Sequence, residues 1–250
     1  MIILKSQEEI AIMREAGRLV ALTLEHVRNH VIAGVTTAEL DAFAEEFLRK
    51  QGGIPAFKGY QGFPATLCIS VNDEIIHGIP SSRRLAEGDI VGLDMGAQYQ
   101  GFCGDSAITV PVGEISQEAK RLLEVTNCAL HEGIKMACSG NRIRDIGKAI
   151  QDTVEAAGYS IVKDFVGHGI GRRVHESPNV PNFVDHSDMR SERLKVGMTI
   201  AIEPMVNVGG DEVRIMRDNW TAKTKDGSLS AHFEHTVAIT SEGPQILTLT

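Results

Sequence analysis

No CxxC spacing occurs among Cys68, Cys103, Cys128 and Cys138, the four cysteines of the chain. That excludes the usual zinc-finger frameworks and fits a reducing compartment better than a disulfide scaffold. Nor does any apolar stretch approach the roughly 20 residues that a membrane-spanning helix requires. The N-terminal MIILKSQEEIAIM has too short an apolar run for a signal peptide and meets acidic residues at once, so a cytoplasmic protein is expected. Positive charge is in the minority: 25 Lys and Arg stand against 33 Asp and Glu, giving a net charge of −8 and a pI near 5.6. Such a balance argues against non-specific binding to nucleic acid or to an anionic membrane. The rest is ordinary for a globular chain, with 250 residues, 42% of them hydrophobic and 23% charged.

Helix starts are marked by capping boxes at Ser6-Gln7-Glu8-Glu9 and Thr36-Thr37-Ala38-Glu39. The first helix is predicted to run to about Val31 and the second to stop at Gly52-Gly53. A loop with Pro55, Gly59, Gly62 and Pro64 leads to a short strand over Thr66 to Val71, then to His77-Gly78-Ile79-Pro80. Ser116 is predicted to cap a helix over Gln117 to Ala137, and Asn141 another that ends at Gly158. The second half then repeats the first. Leu194 to Glu203 matches Leu85 to Asp94 in its leucine, glycine, apolar run and terminal acid, and His175-x-x-Pro178 matches His77-x-x-Pro80. Asp105-Ser-Ala-Ile-Thr-Val likewise resembles Glu234-His-Thr-Val-Ala-Ile. Three matches in one order indicate a duplicated α-α-β unit.

Ile90 to Ala97 and Phe102 to Val110 read as strands of a hairpin. With Tyr99-Gln100 as a two-residue loop, Asp94 and Asp105 would face each other. Carboxylates so placed repel unless a divalent cation lies between them. A pseudo-twofold packing of the halves would add Glu203 and Glu234, and two divalent cations would balance the four charges. His168 lies in Gly167-His168-Gly169-Ile170-Gly171, where glycines allow close backbone approach, and it is read as a further ligand. That segment runs on into Pro178 rather than opening a helix, so a nucleotide-binding turn is set aside. The matched positions of His77 and His175 mark them as a pair flanking the metals, able to donate to a substrate oxygen or to orient an amine.

Asp94, Asp105, His168, Glu203 and Glu234, with His77 and His175, resemble the signature of the type I methionine aminopeptidases. The surrounding words agree over essentially the whole chain: HGIP, GLDMG, GFCGDS, GHGIGRRVHESP, IAIEPM and DNWTAKTKDGSLSAHFEHT. The resemblance implies an α/β (α+β) pita-bread fold, with residues 1–250 as a single catalytic domain of two related halves, about 1–115 and 116–250. It implies a monomer that removes the initiator methionine from nascent chains when the second residue is small, by attack of a metal-bridging hydroxide on the first peptide bond. Asp94 would serve one metal, His168 and Glu203 the second, and Asp105 and Glu234 both. The metals would be Co, Mn, Fe or Zn. Glu203 would be the general base, His175 would bind the scissile carbonyl oxygen, and His77 would contact the scissile nitrogen.

The same resemblance puts Tyr60, Phe63, Cys68 and Trp220 around the methionine side chain. Phe57 stands where many bacterial relatives have cysteine, and Val174 where they have phenylalanine. One gain and one loss of aromatic bulk are expected to compensate. Asn72, Glu74 and Ser230 match positions that bind a monovalent cation in relatives. Arg214, Arg217, Lys223 and Lys225 alternate with Asp211, Glu212, Asp218 and Asp226, which reads as a solvated mixed-charge hairpin before a transient ribosome contact. A prolidase or aminopeptidase P would carry an additional N-terminal domain, for which the box at Ser6 leaves no room. A type II enzyme would carry a long insertion between Glu203 and Glu234. A metal-free binding module would be expected to have lost a ligand.

Overall fold

The computed structural model describes residues 2–184 and 191–250. Helix α1 (Gln7–Arg28) opens on the expected reciprocal box: Ser6 Oγ accepts from the Glu9 N–H at 3.2 Å, and Glu9 Oε2 accepts from the Ser6 N–H at 3.0 Å. Thr36 and Glu39 do the same for α2 (Thr37–Lys50), and Ser116 Oγ caps α3 (Gln117–Lys135) through the Ala119 N–H. Helix α4 (Ile143–Ala156) departs from expectation. Arg142, not Asn141, is its cap residue, and Asp145 accepts the Arg142 N–H. The Asn141 amide instead turns back to the Met136 carbonyl, where it satisfies an acceptor left over at the end of α3. Both α1 and α3 also end short of Val31 and Ala137.

Among the described residues the first-half strands are β1 (Ile54–Pro55), β2 (Cys68–Val71), β3 (Glu74–Ile76), β4 (Ile90–Tyr99) and β5 (Phe102–Pro111). Then follow β6 (Ser160–Ile161), β7 (Gly167–Gly169), β8 (Glu176–Val180), β9 (Thr199–Ile202) and β10 (Met205–Asn207). The last are β11 (Val213–Ile215), β12 (Ala222–Thr224), β13 (Ser230–His232), β14 (Glu234–Thr240) and β15 (Gly243–Ile246). Strand β2 starts at Cys68 rather than Thr66, because the Thr66 and Leu67 N–H groups both donate to Asp41 Oδ1, at 2.9 and 2.8 Å.

The largest sheet runs β1-β4-β5-β14-β9-β7-β8, with β2 also beside β4 and β15 beside β14. At its centre β5 and β14 pair antiparallel, flanked by β4 on one side and β9 on the other. Helix α1 backs β4 and β5 with α2 beside it, while α3 backs β9 and β14 with α4 beside it. The curled α/β arrangement expected from the resemblance is therefore present, and the alternation along β4 explains its orientation. Val91, Leu93, Met95 and Ala97 are buried in the core with Leu19, Val20 and Leu24 of α1, while Gly92, Asp94 and Gly96 face the other way. The helix comes very near the sheet. A Cβ added at Gly104 would lie 2.7 Å from the Gly17 nitrogen, so only glycine fits where α1 crosses β5.

The register of the β4–β5 hairpin corrects one expectation. Tyr99 pairs with Phe102, the turn residues are Gln100 and Gly101 at φ 46° and 80°, and Asp94 lies opposite Ala107 rather than Asp105. Two successive positive φ values are those of a type I′ turn, whose twist suits a hairpin, and the aromatic pair stays in the ladder. The shift is two residues. It therefore preserves the face of every side chain, and Asp94 and Asp105 become diagonal neighbours on the same surface.

Candidate metal centre

The central seam places a row of side chains across the sheet: Asp94 on β4 pairs with Ala107 on β5, and Ala107 pairs in turn with Glu234 on β14. Asp105 lies two residues from Ala107 and so shares its face. Ile202 pairs with His235, which makes Glu203 and Glu234 the next positions in that ladder. His168 is the middle residue of β7, beside β9. The structure thus brings together Asp94, Asp105, His168, Glu203 and Glu234 on the wall of one cavity of about 290 Å³, with His77 and His175 on the same wall.

Distances within the cluster are short. Ligand atoms of Asp105, His168 and Glu234 lie within 4.8 Å of one another. His168 Nε2 is 3.4 Å from Glu203 Oε1 and 3.9 Å from Asp105 Oδ2. Asp105, Glu203 and Glu234 are buried, and Asp94 is partly buried with its Oδ1 out of water, which raises the proton affinity of all four. Burial pushes Asp94 up to about 7, although the Cys68 thiol opposite it on β2 acts the other way. Burial and then the Asp94 charge hold Asp105 well above the usual carboxylate range; Glu203 and Glu234 are raised by burial and then by their acidic neighbours. Burial also holds His168 down to about 3, with His175 adding to the effect, which keeps the imidazole neutral and its lone pair free.

Unpartnered atoms test whether cations fit. Asp94 Oδ1, Asp105 Oδ1 and Glu234 Oε1 are buried without a hydrogen-bond partner, in a group that also offers an imidazole nitrogen. Buried polar atoms are ordinarily satisfied, and an oxygen-rich set with one nitrogen suits divalent transition ions. The residues fit such ions.

Beside the carboxylates the cavity is aromatic. Phe63 meets Trp220 edge-on at 5.2 Å, and His77 lies edge-on to Phe165 at 5.5 Å and to Trp220 at 6.1 Å. Tyr60 stacks on His175 at 5.3 Å, and Cys68 lines the same space. Phe57 and Val174 are buried in one apolar cluster with Phe63 and Cys68, and Phe57 lines the cavity whereas Val174 does not. Away from the cavity, the Ser230 N–H donates to the Asn72 carbonyl, so these two are adjacent. The Glu74 carboxylate is taken up by Arg83 at 3.0 Å and Lys223 at 3.4 Å, and the Asn72 side-chain oxygen by the Ile90 N–H. The mixed-charge segment forms the β11–β12 hairpin, where Lys225 pairs with Glu212 and Lys223 with Asp73.

Residues that no sequence motif singles out support this cluster. Thr236 Oγ1 accepts from the Asp105 N–H at 3.0 Å and donates to the Asp105 carbonyl at 2.8 Å. The Ser106 hydroxyl donates to the Glu234 carbonyl, and the Asn182 amide to that of Glu203. His232 is buried with Nε2 unpartnered, 3.8 Å from Glu203 Oε2. Its spacing of two from Glu234 was a legible sign; the others bridge long sequence separations and gave none.

A search against family models matches residues 11–241 to metallopeptidase family M24. The methionine aminopeptidase 1 of Bacillus subtilis is 52% identical over 248 residues, which cover 99% of each chain. The crystal structure of methionine aminopeptidase from Thermotoga maritima superposes with a TM-score of 0.97 at 44% identity, covering all of both chains. A prolidase from Pyrococcus furiosus shares the fold, with a TM-score of 0.80 at 24% identity, and this chain spans 66% of its length. Among the described residues no helix is long and apolar enough to cross a membrane.

Proposed function

The chain belongs to metallopeptidase family M24 and within it to the methionine aminopeptidases, and on that premise we propose how its residues remove an N-terminal methionine. The observation that carries the reading is the cluster of four carboxylates, three of which hold a buried oxygen without a hydrogen-bond partner, set beside an aromatic cleft. Asp94, Asp105, His168, Glu203 and Glu234 would hold two divalent ions, drawn from Co, Mn, Fe or Zn. Bound there, such ions supply Lewis-acid charge that lowers the pKa of a water and offsets negative charge developing on the carbonyl oxygen.

The remaining work belongs to the side chains. Glu203 takes up a proton as general base, and its backbone is held for that role by Asn182. His175 donates to the scissile carbonyl oxygen and His77 faces the scissile nitrogen. Tyr60, Phe63, Cys68 and Trp220, joined by Phe57, enclose the methionine side chain; a polarisable thioether suits aromatic edges. A cavity of about 290 Å³ is at the small end for ligand sites, which supports a short second residue. The substrate is read as the N-terminus of a nascent chain. The backbone oxygens near Asn72 and Ser230 are the remaining candidates for a monovalent cation, since the Glu74 carboxylate is already engaged.

Chelated protein assayed on Met-Ala-x and Ala-Pro-x peptides, with Mn²⁺ or Co²⁺ restored, tests this reading. Metal-dependent release of methionine from the first peptide alone is expected. Cleavage before proline would transfer the protein to the prolidases. Silence on both, with metal bound, would leave a binding module.

A further inference from the structure

His168 and His175 lie with ring centroids 4.1 Å apart, yet their Nδ1 atoms meet different partners. The Nδ1 of His168 is 3.0 Å from the Gly169 carbonyl oxygen. A carbonyl only accepts, so this Nδ1 carries the hydrogen and Nε2 keeps its lone pair, facing Glu203 and Asp105. The Nδ1 of His175 is 3.0 Å from the Tyr60 phenolic oxygen, and a hydroxyl can donate.

We propose that Tyr60 is a positioning residue: its hydroxyl donates to His175 Nδ1 and thereby holds the imidazole with its hydrogen on Nε2, aimed as a donor at the scissile carbonyl oxygen. The inference rests on the reading of His175 as that donor. The opposite polarity fails chemically. With the hydrogen on Nδ1, His175 would present a lone pair to a carbonyl oxygen that gains negative charge as the reaction proceeds. Two neighbouring imidazoles are thus set to opposite tasks, one keeping a lone pair and the other a hydrogen, by the atom each meets at Nδ1. The local backbone serves the same end. Tyr60 sits in a tight turn in which Gly59 and Gly62 have φ of 88° and 90° and Gln61 has 48°, closed by the Phe63 N–H donating to the Tyr60 carbonyl. Packing around a methionine side chain needs only the ring of Tyr60. The hydroxyl contact is a separate feature.

Zinc-loaded protein labelled with ¹⁵N-histidine shows directly which nitrogen of His175 bears hydrogen, and His175→Gln identifies the resonance by its loss. Hydrogen on Nε2 is expected. Tyr60→Phe keeps the ring, and its kcat should fall about 2- to 10-fold, the worth of one neutral hydrogen bond, at nearly constant KM. Hydrogen on Nδ1 in the unaltered protein overturns the inference, as does a Tyr60→Phe enzyme with unchanged kcat, whether or not its KM rises. If His175→Ala, which removes the donor altogether, also turns over normally, the donor reading itself falls; if His175→Ala is impaired while Tyr60→Phe is not, only the role of Tyr60 falls.

Discussion

The strand pairs β4–β5 and β9–β14 deliver equivalent acids by different means. In the first, a two-residue turn at Gln100 and Gly101 joins strands that stay paired from Tyr99–Phe102 to Ile90–Pro111. In the second, β10 to β13 intervene between the partners, and pairing extends only from Ile202–His235 to Thr199–Ala238. A local turn therefore sets the position of Asp94 relative to Asp105, whereas Glu203 and Glu234 depend on contacts between distant segments. Geometry at the seam, rather than the connection, is what the two halves share.

The largest expected effect separates the equivalent acids Asp94 and Glu203. Glu203→Gln should lower kcat by about 10²- to 10⁴-fold, as for a lost general base, and excess metal should not restore it. Asp94→Asn also removes a ligand but leaves the base in place, so its turnover should be partly recovered as metal is raised. Identical metal titrations of the two variants would abolish the distinction.

Next comes the response to pH without metal. Below the ordinary range of an unfolded aspartate, about 3.9, Asp94 is protonated both folded and unfolded and costs nothing. Between there and its folded value of about 7, the unfolded chain gains a solvated charge that the fold refuses, so stability falls as pH rises through this window. Divalent ions held by the quartet would remove that penalty. The Tm difference between metal-loaded and metal-free protein should widen from pH 5 to pH 8, and a constant difference would mean that the quartet carries no such strain.

Thr236→Val tests the long-range half of the comparison. It leaves the Asp105 N–H without its acceptor, at a cost of about 1–3 kcal/mol, and should reduce metal affinity roughly 10- to 100-fold as a ligand-supporting contact does. Unaltered metal affinity would show that the strand holds Asp105 unaided. Smallest is the local test: Gly101→Ala, at φ 80°, should cost on the order of 1 kcal/mol and lower Tm by about 2–4 °C without touching kcat. A large loss of activity would mean that the turn governs the site more directly than its neighbours do.

What the residues revealed in advance follows the same division between near and far. Ser6, Thr36 and Ser116 cap their helices as read, because a cap is decided within four residues. Asn141 does not cap α4 because its amide bonds backwards, to the helix before it. The hairpin register lies two residues from the expected one because Tyr99 pairs with Phe102 and stays in the strand instead of entering the turn. A shift of two keeps parity, so Asp94 and Asp105 still share a face. Thr236 beneath Asp105 and the Tyr60 hydroxyl at His175 were invisible, since 131 and 115 positions separate the partners and no spacing rule spans such distances.

Ala107 carries a consequence for divergence. Duplication ordinarily frees one copy to drift while the other keeps its task. Here a single methyl group lies between an acid of the first half and an acid of the second, paired to both and buried. A longer side chain at that point would press on Asp94 and Glu234 at once. A change at Ala107 would therefore disturb acids from distant parts of the chain together, although the residue itself performs no chemistry.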